Sequence, residues 1–314
     1  MKITVLMAVR DTPSGMLRQA IESIRSQTWR EFEFLILNDG SERAETGAEL
    51  ERQAAGDSRI RLLRGPPRGL TATLNRGLAL ATGELIARQD ADDWSEPDRL
   101  QRQAAFLAEH PHIAVCGSNA WTHRQDGHPL WVTRLPEGPA AIREALWKGN
   151  PLVHGSTVFR AGVARGLGGY REEFRSAQDY DFFWRMSDAG GAANLPEPLY
   201  HYRYHATAVS ARRAAEQART ERAAQLLAGG RRSGAVEDVA HALARAGREM
   251  EDAGQLRSAL KQIDHRLLAG DLEAAGRAYA GLLRAHPASR LVWGKLLRCA
   301  VFAAVPQARE WCFR

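Results

Sequence analysis

Apolar residues recur along residues 1 to about 116 with two alternating spacings. Short aliphatic runs predict strands, at Ile3–Met7, Phe34–Leu37, Ile60–Leu63, Leu85–Ala87 and Ile113–Cys116. Helical spacing predicts helices between them, through Leu17, Ile21 and Ile24, over Leu70–Ala81 and over Leu100–Glu109. Alternation of strand and helix implies parallel pairing with right-handed crossovers. The pattern therefore predicts an open α/β sheet covered on both faces, with ligands at the carboxyl ends of the strands.

A different pattern follows. Pro129–Arg134 has the composition of an edge strand, and His154–Phe159 is a β-rich run that we expect to rejoin the sheet. After Ser210 the composition shifts to Ala, Arg, Leu and Glu at helical spacing, broken at Gly229-Gly230 and at Ser233-Gly234. We expect one domain over residues 1–210, with halves 1–116 and 117–210, and a helical extension over 211–314.

Composition places the chain among ordinary globular proteins. The 314 residues are 44% hydrophobic and 25% charged, and the three cysteines form neither a Cys-x-x-Cys motif nor a zinc pattern. The apolar run at the N-terminus is too short for a signal peptide, and no stretch reaches the length of a membrane span. We therefore expect a cytoplasmic protein.

The formal charge of +6 is unevenly distributed. Residues 206–314 contain 18 Lys and Arg against 11 Asp and Glu, a net of +7, which leaves −1 for residues 1–205. A basic tail indicates an anionic partner, and we expect membrane lipid rather than nucleic acid. Leu291–Val305 predicts a helix with apolar and basic residues that lies on the inner membrane face. The alternative is a helix that packs on the rest of the chain or on another subunit.

Three carboxylates follow the predicted strand Leu85–Ala87, at Asp90, Asp92 and Asp93. Carboxylates this close repel one another unless a cation or many donors neutralise them. Mg²⁺ or Mn²⁺ suits oxygen ligands of this kind and takes only one or two protein carboxylates, leaving positions for water and phosphate. The alternative is a solvated acidic loop that caps the next helix at Asp98.

Other polar residues follow the neighbouring strands, and we expect them to lie along the same edge of the sheet. The Asp39 carboxylate is able to accept a hydrogen bond from a base or ribose, and Gly40 allows close approach of a ligand to the backbone. A simple turn stabilised by Asn38 is the alternative. By strand alternation Arg88 lies on the same side as the acids, where it pairs with a phosphate or simply with Asp90 or Asp93.

Six segments in this order resemble glycosyltransferase family 2, inverting enzymes with the GT-A fold. They are MAVRD, ILNDGS, the stretch Leu74–Gly77, GELIARQDADDWSEPDRLQRQ, the stretch His154–Arg160, and SAQDYDFFWRM. The resemblance covers residues 1 to about 205. It implies a GT-A type α/β fold, with a Rossmann-like, mostly parallel sheet flanked by helices, and leaves the helical C-terminal extension unassigned.

On the donor side, the resemblance assigns the loop Ala8, Val9 and Arg10 to the nucleotide base. It assigns Asp39 to the base as well, usually uracil. Asn38 stands where an Asp is more usual, and Arg10 replaces a frequent aromatic residue, although a guanidinium plane also stacks on a base.

The resemblance also assigns the acid cluster. Asp92 is the expected direct ligand of Mn²⁺ or Mg²⁺, Asp90 with Ala91 lies against the ribose or a metal-bound water, and Asp93 is in support. His205, 26 residues beyond Asp179, is expected to complete the metal shell or touch the diphosphate, with His201 as its rival.

The acceptor side is expected around a second acid pair. Asp179 and Asp181 precede the apolar face of a predicted helix, where a plain charged N-terminus is the alternative. The family resemblance selects Asp179 as the general base, preceded here by Gln178 instead of an acid.

Further residues are expected to contact the acceptor or the phosphates. His154 opens the acceptor-side run, Trp184 lies in the helix of Asp179, and Arg203 is able to hold phosphate. Three other tryptophans are sugar-stacking candidates or, alternatively, core residues, at Trp121, Trp131 and Trp147.

The resemblance implies a metal-dependent inverting glycosyltransferase. It transfers a sugar from a nucleotide-diphosphate sugar, UDP being the expected carrier, to a hydroxyl of a glycan or lipid-linked glycan of a bacterial surface polysaccharide. Two alternatives stay open. A sugar nucleotidyltransferase would need a basic glycine-rich loop after the first strand, which MAVRDTPSG lacks, and an inactive glycan-binding scaffold would account for Gln178 and Asn38.

Overall fold

The computed structural model describes residues 1–204, 214–250, 253–268, 272–289 and 291–295. The chain divides into two compact units. The first comprises residues 1–120 and 134–202, and the second residues 121–133 and 203–314. The domain boundary expected at residue 210 stays a prediction, since residues 205–213 lie outside the described part.

The described residues form a nine-stranded mixed sheet, with the order β3-β2-β1-β4-β8-β6-β9-β5 and β7 paired with β6. The strands are β1 Ile3–Val9, β2 Phe32–Asp39, β3 Ile60–Gly65, β4 Leu85–Arg88, β5 Trp94–Ser95, β6 Val115–His123, β7 Pro129–Val132, β8 Val158–Arg160 and β9 Ala192–Arg203. The pairs β1–β2, β1–β4 and β2–β3 are parallel, whereas β8 runs antiparallel to both β4 and β6. The predicted α/β class is confirmed, with its parallel part at the N-terminal half.

Helices of the first unit connect these strands. They are α1 Ser14–Arg25, α2 Ala44–Ala55, α3 Leu70–Leu80, α4 Arg99–Glu109, α5 Pro139–Ala145, α6 Ala161–Gly166 and α7 Gln178–Gly190. The expectation that His154–Phe159 is one β run is wrong at its start, where His154–Ser156 forms a 3-10 helix. Tight turns cause the difference, since Ser156 N–H donates to Val153 O at 2.9 Å and Thr157 N–H to His154 O at 3.2 Å.

The core of the first unit lies around the central strands. β4 buries all four of its side chains and β1 six of seven, which is why both appear in the sequence as apolar runs without alternation. α3 packs closely on this sheet at Gly77, where an added Cβ would lie 2.2 Å from Leu6 Cδ1. The carboxyl ends of β1, β2 and β4 therefore meet along one rigid edge.

The described part of the second unit is mainly helical. Its helices are α8 Ala214–Arg232, α9 Val239–Glu249, α10 Ala253–Leu268 and α11 Leu272–Ala285, and residues 291–295 are helical too. A small apolar cluster includes Leu260, Ile263 and Val292, and Lys295 Nζ lies 2.5 Å from Asp264 Oδ2. Among the described residues, no helix has the length and apolar character to cross a membrane.

Candidate active site

The three acids after β4 lie in a turn that Gln89 shapes. Gln89 is fully buried, and its Nε2 donates to the carbonyl oxygens of Asp90 at 3.0 Å and Asp93 at 3.1 Å. Its Oε1 accepts from Ser95 Oγ at 2.7 Å and from Arg99 Nη1 at 3.2 Å. One amide therefore fixes both ends of the turn. Sequence reasoning missed Gln89, whose only signal is a polar residue between a buried strand and the acids.

Arg88 is completely buried and is held by several acceptors. Its Nη1 donates to Leu6 O at 2.6 Å and Gln89 O at 3.0 Å, its Nη2 pairs with Asp90 Oδ1, and its Nε lies 3.3 Å from His154 Nε2. The simple ion pair with Asp90 is thus the arrangement present. A role of Arg88 toward the nucleotide stays a prediction, and burial makes that role indirect, through Asp90.

The surroundings of Asp90 compensate the negative charge of its carboxylate only in part. Burial raises the pKa of Asp90, the Arg88 guanidinium opposes this rise, and the nearby Asp92 adds to it. The Asp90 side chain keeps 30% of its surface exposed, and Asp92 is half-buried. Additional positive charge at this turn would relieve the repulsion between the two carboxylates.

The backbone of Asp90 is anchored by a residue of β9. Asp90 N–H donates to the buried hydroxyl of Tyr200 at 3.1 Å. An added Cβ at Gly155 would lie 2.1 Å from that hydroxyl and 2.7 Å from Asp90 Oδ2. Only glycine at this position lets the 3-10 helix approach the acid turn so closely.

The acid turn has the oxygen ligands that a divalent cation prefers. The described residues contain no group of three or more His, Cys, Asp or Glu that could hold a metal. Mg²⁺ and Mn²⁺ sites that bind phosphates need only one or two carboxylates, so accessible oxygens of Asp90 and Asp92 fit such a site. His205 lies outside the described residues. Its rival His201 stacks on Trp94 at 4.7 Å and contacts Glu96 Oε1 at 2.8 Å.

Asp39 lies at the end of β2, and its carboxylate caps the backbone N–H groups just before α3. Its Oδ1 accepts from Arg68 N–H at 2.7 Å and from Thr73 Oγ1 at 2.9 Å, and its Oδ2 accepts from Gly69 N–H at 3.0 Å. A carboxylate has about four acceptor positions, so the cap leaves room for one further donor. The turn alternative is also present, because Asn38 Oδ1 accepts from Ser41 N–H at 2.9 Å.

The loop after β1 is tied to the loop after β2. Asp11 has a left-handed φ of 50°, and its Oδ1 accepts from Glu42 N–H at 2.7 Å and Arg43 N–H at 3.0 Å. These backbone hydrogen bonds, that of Arg43 first, lower the pKa of Asp11. Of the residues predicted to hold the base, Val9 is buried, Ala8 is half-buried and Arg10 is exposed.

Asp179 lies in the first turn of α7. Ala177 precedes the helix with a left-handed φ of 52°, and Asn150 Nδ2 donates to Asp179 Oδ2 at 2.8 Å. Asp181 is instead a structural acid, buried between Arg171 and Arg185 at 3.0 and 2.8 Å. The two acids that looked equivalent in sequence are therefore distinguished by burial.

Other residues of the predicted acceptor side are buried. Trp184 has no exposed surface and packs edge-on against Trp147, with 4.7 Å between the ring centroids, and Gln178 is buried as well. Any support that they give an acceptor is indirect. Arg203 is buried and belongs to the second unit, as does Trp131, which packs on Tyr204.

Tyr170 connects the two acid clusters. Its side chain is buried, and its hydroxyl lies 2.9 Å from His154 Nε2, the atom that also contacts Arg88. Burial raises the pKa of Tyr170, Arg88 lowers it, and both Asp179 and Asp90 raise it further. Through His154 and Arg88, the Tyr170 hydroxyl is linked by contacts to Asp90 of the acid turn.

Solved structures of glycosyltransferases share this fold. Residues 1–349 of TarS from S. aureus in complex with UDP-GlcNAc give a TM-score of 0.59 at 18% identity, covering 99% of this chain and 88% of that chain. The mannosyltransferase PcManGT from Pyrobaculum calidifontis, in complex with GDP-Man and Mn²⁺, gives 0.58 at 16% identity, with 99% and 83% covered. At this identity the likeness concerns the fold, which is the GT-A fold.

Sequence relatives point in the same direction. EpsE of Bacillus subtilis, named as a glycosyltransferase, is 34% identical over 206 residues, which are 64% of this chain and 73% of EpsE. The amylovoran biosynthesis glycosyltransferase AmsE of Erwinia amylovora is 28% identical over 198 residues, or 63% of this chain and 74% of AmsE. An uncharacterized glycosyltransferase of Haemophilus influenzae is 30% identical over 204 residues, or 61% of this chain and 62% of that protein.

Fold and relatives together define an enzyme of the glycosyltransferase class. Residues 4–167 match the sequence profile of glycosyl transferase family 2. The chain belongs to this family, as the resemblance of its motifs predicts. The match ends before α7, so the roles of Asp179 and the second unit stay predictions.

Proposed function

We propose that the protein is a metal-dependent inverting glycosyltransferase that moves a sugar from a nucleotide-diphosphate sugar to a hydroxyl of a glycan or lipid-linked glycan. UDP is the first nucleotide to test, and a bacterial surface polysaccharide is the proposed setting, which the name of the relative AmsE supports. The observation that carries the proposal is the geometry of the acid turn inside the family 2 segment, where buried Arg88 pairs with Asp90 and buried Gln89 holds both ends of the turn.

On the side of the sugar donor, the Asp39 carboxylate accepts a hydrogen bond from the base. Asp92 and Asp90 would hold Mn²⁺ or Mg²⁺. A divalent cation, when bound, supplies positive charge beside the departing diphosphate. Arg88 and Gln89 keep the acid turn in shape, so that the two carboxylates are presented without rearrangement. Asp93, which is buried, supports the turn.

On the acceptor side, Asp179 removes the proton from the attacking hydroxyl. The oxygen attacks the anomeric carbon opposite the leaving diphosphate, so one displacement inverts the configuration without a covalent intermediate. Asn150 holds Asp179 Oδ2 and thereby fixes the plane of the carboxylate. Family membership favours sugar transfer over nucleotidyl transfer.

The second unit is proposed to contact the membrane surface, with the catalytic unit in the cytoplasm. Leu291 and Trp293 expose 48% and 51% of their surface, while Val292 between them is buried. The net charge of +7 over residues 206–314 would be attracted to anionic lipid. Most of the predicted helix, beyond Lys295, lies outside the described residues.

Nucleotide binding tests the donor proposal directly. UDP, GDP and their sugars are titrated into the wild type and Asp92→Asn with Mn²⁺ and with EDTA, and thermal unfolding is recorded. A ligand at about 100 times its dissociation constant stabilises the protein by about 2.7 kcal/mol. We expect metal-dependent stabilisation of the wild type that Asp92→Asn loses. Absence of any metal-dependent binding across the panel would favour the inactive scaffold.

A further inference from the structure

The stretch Leu74–Gly77 has no role in the proposed chemistry, and in the first unit it contacts Tyr170. Asn75, from Leu74–Gly77 in α3, donates through Nδ2 to Tyr170 O at 2.8 Å and accepts through Oδ1 from Tyr170 N–H at 2.8 Å. The preceding Gly169 has a φ of 71°, and an added Cβ there would lie 2.6 Å from Asn75 Oδ1. The Asn75 side chain therefore forms hydrogen bonds with both the N–H and the C=O of Tyr170, and this arrangement requires glycine at position 169.

The Tyr170 side chain passes this restraint to His154. Its hydroxyl and Arg88 Nε–H both approach His154 Nε2, at 2.9 and 3.3 Å. Arg88 is always a donor, so Nε2 is the acceptor and the ring proton lies on Nδ1. Burial, and secondly the Arg88 charge, lower the pKa of His154 well below its usual value, which agrees with a neutral ring.

His154 in turn fixes the direction of the Arg88 guanidinium. With Nε on His154 and Nη1 on two carbonyl oxygens, the planar group has one orientation, in which Nη2 pairs with Asp90. The chain of contacts therefore runs from α3 through Tyr170, His154 and Arg88 to the acid turn.

We propose that Asn75 and Tyr170 are positioning residues of the donor site, which orient Asp90 through His154 and Arg88. The proposal rests on the proposed function of Asp90 and Asp92 as the donor site. Neither residue needs to touch a substrate. Thr71 of α3 adds to the restraint, since its Oγ1 donates to Phe174 O at 3.1 Å in the loop that leads to α7.

Tyr170→Phe removes only the hydroxyl and so isolates this contact. The dissociation constant of UDP, with GDP as second probe, is measured calorimetrically in Mn²⁺ for the wild type and the variant. We expect an increase of about 3- to 10-fold, the range of one lost hydrogen bond. Asn75→Asp, which places a carboxylate against Tyr170 O, should weaken binding at least as much.

Tyr279→Phe is the matched control, because Tyr279 is a buried tyrosine in the second unit whose hydroxyl donates to Val292 O at 2.7 Å. Both tyrosine variants should lose similar thermal stability, but only Tyr170→Phe should weaken nucleotide binding. Equal affinity of Tyr170→Phe and the wild type would overturn the inference. Binding by the wild type itself reports on the proposed function, so the two failures are distinct.

A second readout needs no nucleotide. In ¹⁵N-histidine NMR spectra of the full chain, His154 should show an unprotonated Nε2 at neutral pH, and its resonance should shift in Tyr170→Phe but not in Tyr279→Phe. An unchanged His154 resonance in Tyr170→Phe would contradict the proposed contact chain.

Discussion

At the scale of single residues, the acid turn depends on neighbours that carry no charge. The Gln89 side chain donates hydrogen bonds to the carbonyl oxygens of Asp90 and Asp93. The Tyr200 hydroxyl accepts from the backbone N–H of Asp90, and Gly155 leaves space for the Tyr200 hydroxyl and the Asp90 carboxylate. A buried polar network is worth most when every member is satisfied. The acids are therefore held in position before any ligand binds.

Gly155→Ala tests this packing. The added methyl group would overlap the Tyr200 hydroxyl, and overpacking of this kind costs about 1–3 kcal/mol. We expect that loss in the free energy of unfolding, measured in urea, together with weaker nucleotide binding. The control is Gly162→Ala in α6, where an added Cβ meets nothing within 4 Å. Wild-type affinity in Gly155→Ala would contradict the role of this close contact.

At this scale the sequence predicted the acids and the ion pair of Arg88 with Asp90, but not the uncharged residues that position the turn. Asp90, Asp92 and Asp179 are found by motif and by place in the predicted elements. Asn75 and Tyr170 are 95 positions apart, and Asp90 and Tyr200 are 110 apart, so neither contact leaves a local pattern. Their roles emerge only when the fold brings the segments together.

At the scale of elements, α1 and α2 are joined by one buried acid. Glu49 of α2 is almost fully buried and accepts from Arg18 of α1, from Arg52 and from Gln53. Burial raises the pKa of Glu49, but hydrogen bonds from Arg52 and Arg18 outweigh it and lower the pKa to about 2. The ionised form is therefore favoured in the folded protein.

Acid should remove this stabilisation. Because the folded pKa of Glu49 lies below its usual value of 4.5, its contribution is present above pH 4.5 and is lost as the pH falls toward 2. The shift corresponds to at most about 3 kcal/mol, reduced because the arginine partners are half exposed.

The measurement compares urea unfolding of the wild type and Glu49→Gln at pH 7 and pH 3. The difference in unfolding free energy should shrink at pH 3. Glu45→Gln is the control, since Glu45 pairs with Arg43 at the surface, where both side chains are more than half exposed. A difference for Glu49→Gln that does not depend on pH would contradict the assignment.

Elements of the N-terminal half were predictable because buried parallel strands are continuous apolar runs. β9 was not predicted, and it contains Pro196 and Pro198, residues that argue against a strand. The helices α2, α5 and α6 were also missed. His154 was assigned to a strand because local β propensity does not report the turn hydrogen bonds before Thr157.

At the scale of the whole molecule, a family 2 catalytic unit is joined to a basic helical unit in one chain. The family match ends at residue 167, so family membership does not explain what the tail does. Its charge and its exposed Leu291 and Trp293 are the features that a membrane surface would use.

Replacing both exposed residues tests the membrane proposal. The double variant Leu291→Ser with Trp293→Ser should float less with phosphatidylglycerol vesicles than the wild type, because it lacks the apolar groups that embed. Val236→Ser is the control, since Val236 is 96% exposed in the same unit. Equal flotation of the double variant and the wild type would contradict the membrane proposal.

The central claim is that Asp92 binds the metal at the donor site and Asp179 acts as the general base. The most direct measurement is release of nucleoside diphosphate from a panel of nucleotide sugars with Mn²⁺, alongside donor affinity, for the wild type, Asp92→Asn and Asp179→Asn. Asp179→Asn should keep donor affinity and lose at least about 100-fold in turnover, as expected for a general base, whereas Asp92→Asn should lose both. Turnover of Asp179→Asn at the wild-type rate would contradict the account.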